Sequence, residues 1–413
     1  MRVIVLGAGL LGVTTAYYLQ QLGHEVIVVD RHATPAAKAR GRAVADAAPP
    51  QSVPPEAPRA RRGNGLWAGL RATVRQGFTR LLDRTSVAPP RSAPIDHLVR
   101  LAAYSRKNAR ALREETGLPQ RPRSDGLLTI YTDTRAFEAR MAGASRWSEL
   151  GCEDHLLSAD EAVFKEQALA AIRARLAGAS FSPEDPARDP AQFAEYLVFL
   201  CRAAGVRFMM KHAVVALKER DGRVDHVELL DENGQALLLR GRSYVLALGA
   251  SSAVHAEHLG IDMPMRFVRE YIVTIPVKDP ARAPSISLRD RQGRLRISRE
   301  SDPDGDRLRV CCTVHVNHDE ESEPDSDRYD AILRRVEMLF PGATDTTRAS
   351  LDTAMHAVSG NRLPMIGKTR LPNLFLNTAP GTPGWTHAYG AGKSVARIVS
   401  GLRPEFDFAF RGL

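Results

Sequence analysis

Hydrophobic spacing divides the start of the chain into short, distinct elements. Val3, Ile4, Val5 and Leu6 make a β-branched apolar run, which predicts a short buried strand. A helical pattern follows through Tyr17, Tyr18 and Leu19, and Gly23 closes it. Residues 25–30 form a second apolar run that ends on Asp30. Periodicity is then lost. Residues 33–63 hold six prolines, many alanines and scattered arginines, so they predict an irregular loop with little to bury. Between 65 and 84, Trp67, Leu70, Val74, Phe78, Leu81 and Leu82 fall near helical spacing. Arg71, Arg75, Arg80 and Arg84 take the other side. Such a basic amphipathic helix is either a core helix with a solvated Arg face or one that lies on an anionic membrane surface.

Further on, Asp96 starts a helix to about Thr116 with Leu98, Leu101, Ala102, Ala109 and Leu112 on its buried side. Residues 126–132 read as a strand and 134–150 as a helix. Ser158 and Glu161 have the spacing of a capping box. A helix runs from Pro190 through Phe193, Leu197, Leu200 and Cys201 to Gly205. A meander follows at 206–209, 213–218, 224–230 and 236–240, with turns at Asp221-Gly222 and Asn233-Gly234. Residues 244–248 read as a buried strand. Strand patterns recur at 265–277, 293–299 and 307–316. The acidic run 319–330 reads as a solvated loop. A short strand at 375–376 leads into a Gly-rich turn and a closing helix that holds Gly390 and Gly392. No internal repeat is visible.

A length of 413 residues suits two or three domains. Hydrophobic residues at 44% and charged residues at 25% exclude a wholly disordered chain. No run of about 18 uncharged apolar residues suggests a membrane-spanning helix. Four cysteines exclude a disulfide scaffold and suit a reducing, cytoplasmic setting. The net charge of +9 is local: residues 31–91 carry twelve Lys/Arg against three Asp/Glu, so the remainder is neutral. A balanced globular body thus carries one basic segment. That segment lacks aromatic residues on its basic face and any nucleic-acid module, so nucleic acid is not an expected partner.

Gly7-Ala8-Gly9-Leu10-Leu11-Gly12 lies between the two opening runs. The order strand, glycine loop, helix, strand and terminal acid is a dinucleotide-binding βαβ unit rather than a signal peptide. Gly7 permits the tight turn, Gly9 lets backbone approach a pyrophosphate, and Gly12 lets helix and strand pack closely. The helix start offers N–H groups and a positive dipole end to phosphates. Asp30 can accept hydrogen bonds from a ribose diol.

Four stretches carry a family likeness: GAGLLG with GHEVIVVDR, residues 98–117 with GLLTIY, residues 203–250, and residues 364–401 with NTAPGTPGWTHAYGAG. With these the whole chain resembles the bacterial D-amino-acid dehydrogenases, within the wider family of FAD-dependent D-amino-acid and glycine oxidases. The resemblance implies an α/β fold: a doubly wound, Rossmann-like FAD domain assembled from 1–45, 155–260 and 345–413, and an α+β substrate domain on an antiparallel sheet from 46–154 and 261–344. It implies FAD as cofactor, a D-amino acid or related amine as substrate, and a respiratory quinone or other electron-transfer partner at the inner membrane. Contacts to FAD are implied for Gly7, Ala8, Gly9, Leu10, Leu11, Gly12, Asp30, Arg31, Val214 and Gly249. Gly381, Thr382, Gly384, Trp385 and Thr386 should approach the flavin ring. A nicotinamide reductase has no use for that last loop.

One departure from the family lies beside the pyrophosphate and flavin, where residues 38–46 lack the hydroxyl of an E-T-S-x-x-N-A stretch, and the others fall in the substrate half. Tyr271 stands in a K-G-Y-S strand that here reads Arg269-Glu270-Tyr271-Ile272, where Glu270 replaces Gly. A Gly pair has become Cys311-Cys312. His356 stands where the family has the Arg that holds the substrate carboxylate, and Arg362 follows six residues on. Tyr271, His356 and Arg362 are therefore the candidate catalytic residues of an active enzyme. The alternative is a catalytically degenerate paralogue that serves as a non-catalytic subunit or binding protein. Cys311, Cys312, His315 and His318 have metal-ligand types, but strand alternation sends the two thiols to opposite sides, so no metal site is expected. His24 and His387 read as helix-surface residues.

Overall fold

Side chains alternate between the faces of a strand, and the opening strand Arg2–Leu6 obeys this strictly. Val3 and Val5 enter one apolar cluster, while Ile4 and Leu6 enter another. Glu25–Asp30 divides the same way, Val26 and Val28 against Ile27 and Val29. Strands buried on both faces require a layer on each side. The computed structural model, which describes residues 1–35, 93–116, 126–152, 154–183, 190–302, 305–315, 325–359, 363–379 and 384–405, supplies both layers.

The six-stranded sheet runs Met365–Lys368, Leu374–Thr378, Ser243–Leu246, Arg2–Leu6, Glu25–Asp30, Arg207–Met210. It is parallel except for the edge strand Met365–Lys368. Helices Leu10–Gln21, Ala93–Thr116, Pro190–Ala203 and Gly384–Val399 bury their apolar sides on one face. A three-stranded antiparallel sheet, Ala213–Arg220, Arg223–Leu230 and Ala236–Leu239, covers the other with the helix Ser251–Glu257. The expected doubly wound α/β architecture is present.

An eight-stranded mixed sheet makes the second layer system. Its order is Ser350–Ser359, Met265–Pro276, Gly305–His315, Leu295–Asp302, Ser287–Asp290, Leu127–Tyr131, Gly178–Ser182, His155–Leu157. Tyr271, Val273, Ile275, Ile297 and Val310 point to one face, where Ile332, Val336 and Leu339 of the helix Ser326–Leu339 cover them. That helix begins inside the run expected to be a loop. Asp325 accepts the N–H groups of Asp327 and Arg328 and caps it, and the i, i+4, i+7 spacing of Ile332, Val336 and Leu339 was its signal.

Sheet membership differs from the expected grouping of segments. Strands His155–Leu157, Gly178–Ser182 and Ser350–Ser359 were expected with the FAD domain but pair in the eight-stranded sheet. Helix Ala93–Thr116, expected with the substrate domain, packs against Gly384–Val399 on the six-stranded sheet. Pairing across long sequence gaps decides these memberships, and no local pattern encodes it. The predicted helix 134–150 is two helices, Thr134–Ala142 and Ala144–Glu149, broken at Gly143. The amphipathic helix 65–84, and the basic loop beyond Pro35, lie outside the described residues.

One buried carboxylate ties distant segments of this second part together. Glu166 is 3% exposed. It accepts the N–H of Ala168 at 3.1 Å, of Ser285 at 2.7 Å and of Ile286 at 2.8 Å, with the Ser285 hydroxyl at 3.0 Å. A buried carboxylate with this many donors is satisfied rather than strained.

Candidate functional site

The glycine loop sits at the carboxyl end of the opening strand. Gly7 has φ +109°, a conformation that favours glycine, and a Cβ there would stand 2.4 Å from the Ala247 carbonyl oxygen. A Cβ on Gly12 would lie 1.8 Å from the Gly7 carbonyl oxygen. Both glycines are thus required by close backbone approach. Gly9 differs, because a Cβ there meets no protein atom within 4 Å. Two glycines hold the loop against the fold and the third leaves space beside it.

Gly9 is the N-cap of Leu10–Gln21, with no side-chain cap and no acidic residue in the first turn. The N–H groups of Leu10, Leu11 and Gly12 have no acceptor within the helix. With the dipole, they suit an anion beside Gly9. The helix itself is held by small-residue packing: a Cβ on Gly392 would lie 2.8 Å from Thr14 Oγ1. Asn377 Nδ2 donates to Thr15 Oγ1 at 2.8 Å, fixing the helix to the strand Leu374–Thr378.

Asp30 turns toward the loop. Its Oδ2 accepts the Ala8 N–H at 2.7 Å, and its Oδ1 accepts the His32 N–H at 2.9 Å and contacts His32 Nδ1 at 2.6 Å. The ribose acid expected from sequence therefore also organises the loop. His32 is a site residue that sequence reasoning missed; its only signal was its place two residues after the acid. Arg31 is exposed. Val214 lies nearby, since Lys211 and His212 donate backbone N–H groups to His32 and Asp30 carbonyls. Gly249 has φ +63°, and its carbonyl accepts from Thr378 Oγ1 at 3.1 Å. Gly7, Ala8, Gly9, Leu10, Leu11, Gly12, Asp30, Val214 and Gly249 thus gather at one end of the six-stranded sheet.

Of the candidate catalytic residues, the two that are described, Tyr271 and His356, do not gather. Tyr271 pairs with Thr353 and Cys312, whereas His356 pairs with Val268. The odd offset sends them to opposite faces of the eight-stranded sheet. Tyr271 is packed in the core under the helix Ser326–Leu339, and its OH accepts the Asp325 N–H at 2.9 Å. It holds a helix cap rather than lying beside His356. Arg362, Gly381 and Thr382 lie outside the described residues, as do the side chains of Trp385 and Thr386 beside Gly384 at the head of the closing helix.

On the face of His356 lies the carboxylate of Glu270, the sequence neighbour of Tyr271. Glu270 Oε2 lies 2.9 Å from His356 Nε2, and Glu270 Oε1 accepts from Arg296 Nη2 at 2.5 Å. The two family departures, Gly to Glu270 and Arg to His356, are therefore in contact. Cys311 shares this face, and burial pushes its thiol up to about 11. Cys312 packs in the opposite core. Two thiols separated by a sheet cannot ligate one ion. His387 is not at a surface: it is 1% exposed, and burial lowers its pKa to about 4.

Comparison with known proteins places these features in a context. A family model described as FAD dependent oxidoreductase matches residues 2–398. A D-amino acid dehydrogenase of Rhizorhabdus wittichii is 34% identical over 98% of both chains. One of Dechloromonas aromatica is 32% identical over 99% of both. Among solved structures, glycine oxidase from Geobacillus kaustophilus superimposes with a TM-score of 0.71 at 19% identity, covering 99% of this chain and 97% of that one. L-proline dehydrogenase from P. horikoshii gives 0.71 at 14% identity, covering 97% and 93%.

Proposed function

This chain belongs to the FAD dependent oxidoreductase family, and on that premise we propose that it catalyses oxidative deamination of a D-amino acid or a related amine. The observation that carries the cofactor assignment is the glycine cradle, closed at Gly7 and Gly12 and open at Gly9. The full-length similarity to D-amino acid dehydrogenases supports the substrate class. Bound FAD would supply the two-electron acceptor for the substrate's Cα–H bond.

The chain's own residues bind, orient and exclude water. Leu10, Leu11 and Gly12 would donate backbone N–H groups to the pyrophosphate, with Gly7 and Ala8 shaping the turn. Asp30 would hold the ribose while it keeps the Ala8 N–H, since a carboxylate accepts about four hydrogen bonds. Val214 would meet the adenine side and Gly249 the underside of the cofactor. Gly381, Thr382, Gly384, Trp385 and Thr386 would enclose the ring, with Arg362 and His356 near the substrate. The polar face around Glu270 would hold the substrate's charged groups. The imino acid product hydrolyses to a keto acid and ammonia.

Among the described residues no helix is long and apolar enough to cross a membrane. The basic segment 65–84 would meet an anionic surface of the inner membrane from the cytoplasmic side, bringing the protein to a respiratory quinone or another electron-transfer partner. The visible spectrum of the purified protein, repeated after adding FAD, tests the cofactor. Anaerobic bleaching with a panel of D-amino acids and related amines tests the substrate. A protein that takes up no FAD overturns the proposal and favours the non-catalytic reading.

A further inference from the structure

An open cavity of about 440 Å³ lies beside the helix Ser326–Leu339. Arg335 and Met338 of that helix line it, with Thr132, Arg175, Leu176 and Gln292. The same helix covers the face of the eight-stranded sheet opposite His356, so the cavity stands apart from the candidate active site. Among the described residues that line it there is no acid.

One guanidinium in this cavity is held in a fixed pose. Asp290, whose side chain is 0% exposed, receives Arg335 through two bonds, from Nε to Oδ2 at 2.6 Å and from Nη2 to Oδ1 at 2.9 Å. The Gly293 N–H also donates to Asp290 Oδ2 at 3.1 Å, and a Cβ on Gly293 would stand 2.2 Å from that oxygen. Arg335 Nη2 donates to Thr132 Oγ1 at 3.2 Å as well, and the Thr132 hydroxyl in turn donates to Gln292 Oε1. Three of the five guanidinium donors are thereby engaged. The two on Nη1, and both on Gln292 Nε2, meet no acceptor among the described residues. A pair that served only to tie the helix to the strand Ser287–Asp290 would be matched or bettered by apolar side chains.

We propose that this cavity binds a small monocarboxylate with an apolar body. Charge decides the class. Asp290 neutralises Arg335, and Asp133, beside Thr132, directs its carboxylate to the Ala136 N–H at 2.8 Å and does not line the cavity. The exposed Arg175 then leaves a single net positive charge. A monoanion balances that charge, whereas a phosphate dianion exceeds it. Shape agrees with charge. The planar Nη1 edge, fixed from behind by Asp290, matches a carboxylate. Met338 and Leu176 offer an apolar wall to the rest of the ligand. The volume suits a small organic molecule, since such clefts run from about 300 to 1,000 Å³. Donors already locked in place lose little entropy on binding.

Calorimetric titration of the purified full chain with isocaproate, with isocaproamide as the uncharged control, tests this. It is repeated with Arg175→Gln and Arg335→Lys. Isocaproate should bind the wild type at least about tenfold more tightly than the amide. Its affinity should fall roughly 3- to 10-fold in Arg175→Gln, whose charge is exposed, and about tenfold in Arg335→Lys. Amide binding should stay within about twofold in both. Circular dichroism checks the folding of each variant, and Arg175→Gln alters a surface residue with no packing to lose. Its FAD uptake should match the wild type, because the glycine loop belongs to the other sheet. Equal binding of acid and amide overturns the proposal. Wild-type isocaproate affinity in folded Arg175→Gln places the acid elsewhere in the protein and overturns it too. Inorganic phosphate bound more tightly than isocaproate, and lost in Arg175→Gln, would assign the cavity to phosphate instead.

Discussion

Alanine at Gly9 and at Gly12 should separate folding from cofactor binding. A Cβ on Gly12 would stand 1.8 Å from the Gly7 carbonyl oxygen and 2.9 Å from its carbon. Ordinary contact is about 3.5 Å, so helix and loop must part by roughly 1.7 Å. Overpacking of this kind costs about 1–3 kcal/mol or more, because both sides of the contact are backbone. At Gly9 the same methyl meets nothing within 4 Å, and φ −68° suits alanine. Replacing glycine at this N-cap costs only about 0.5–1 kcal/mol. The methyl does enter the open space beside the loop. A pyrophosphate held there by first-turn N–H groups would shift outward and lose part of bonds worth about 1.5–3 kcal/mol each. FAD affinity of Gly9→Ala should therefore fall roughly 10- to 100-fold at nearly unchanged stability. Gly12→Ala should lose both. Urea unfolding of the flavin-free proteins measures stability, and quenching of flavin fluorescence on titration measures affinity. Wild-type FAD affinity in Gly9→Ala would refute the placement of pyrophosphate against this loop.

Other expectations come from buried groups away from the loop. Tyr271→Phe should cost about 1 kcal/mol in urea unfolding through the lost Asp325 bond, while substrate KM stays within about twofold; a large loss of turnover would return Tyr271 to the reaction. Glu166→Gln turns an amide toward donors from Ala168, Ser285 and Ile286. It should destabilise by about 2–4 kcal/mol, and a change below about 0.5 kcal/mol would show that Glu166 does not brace these segments. His387 has its folded pKa lowered to about 4 from 6.5, so below 6.5 the unfolded chain takes up a proton that the folded chain refuses. Stability is full above pH 6.5 and declines as the pH falls toward 4, by roughly 3 kcal/mol in all. His387→Gln should flatten this part of the pH–stability curve, and an unchanged slope would assign the decline to other groups.

Much of the first thirty residues was legible because each signal there is local. The strand, its glycine loop, the helix and the terminal Asp30 follow from short-range sterics and alternation, and residues 3–30 fold as those rules require. His387 shows a limit even so: its helix was legible, but which side of that helix faces the core depended on Ala93–Thr116 packing over it.

The charged face of the eight-stranded sheet was decided by tertiary structure alone. Arg296, Glu270 and His356 lie 26 and 86 residues apart along the chain, and no period links such separations. Strand register brings them together, and the same register turns Tyr271 into the opposite core. A shift of one residue would exchange those faces. Sequence therefore determined the chemistry available on each strand. Only the pairing of strands Ser350–Ser359, Met265–Pro276, Gly305–His315 and Leu295–Asp302 determined which of it shares a face, because hydrogen-bonded register is a property of two segments and not of either one.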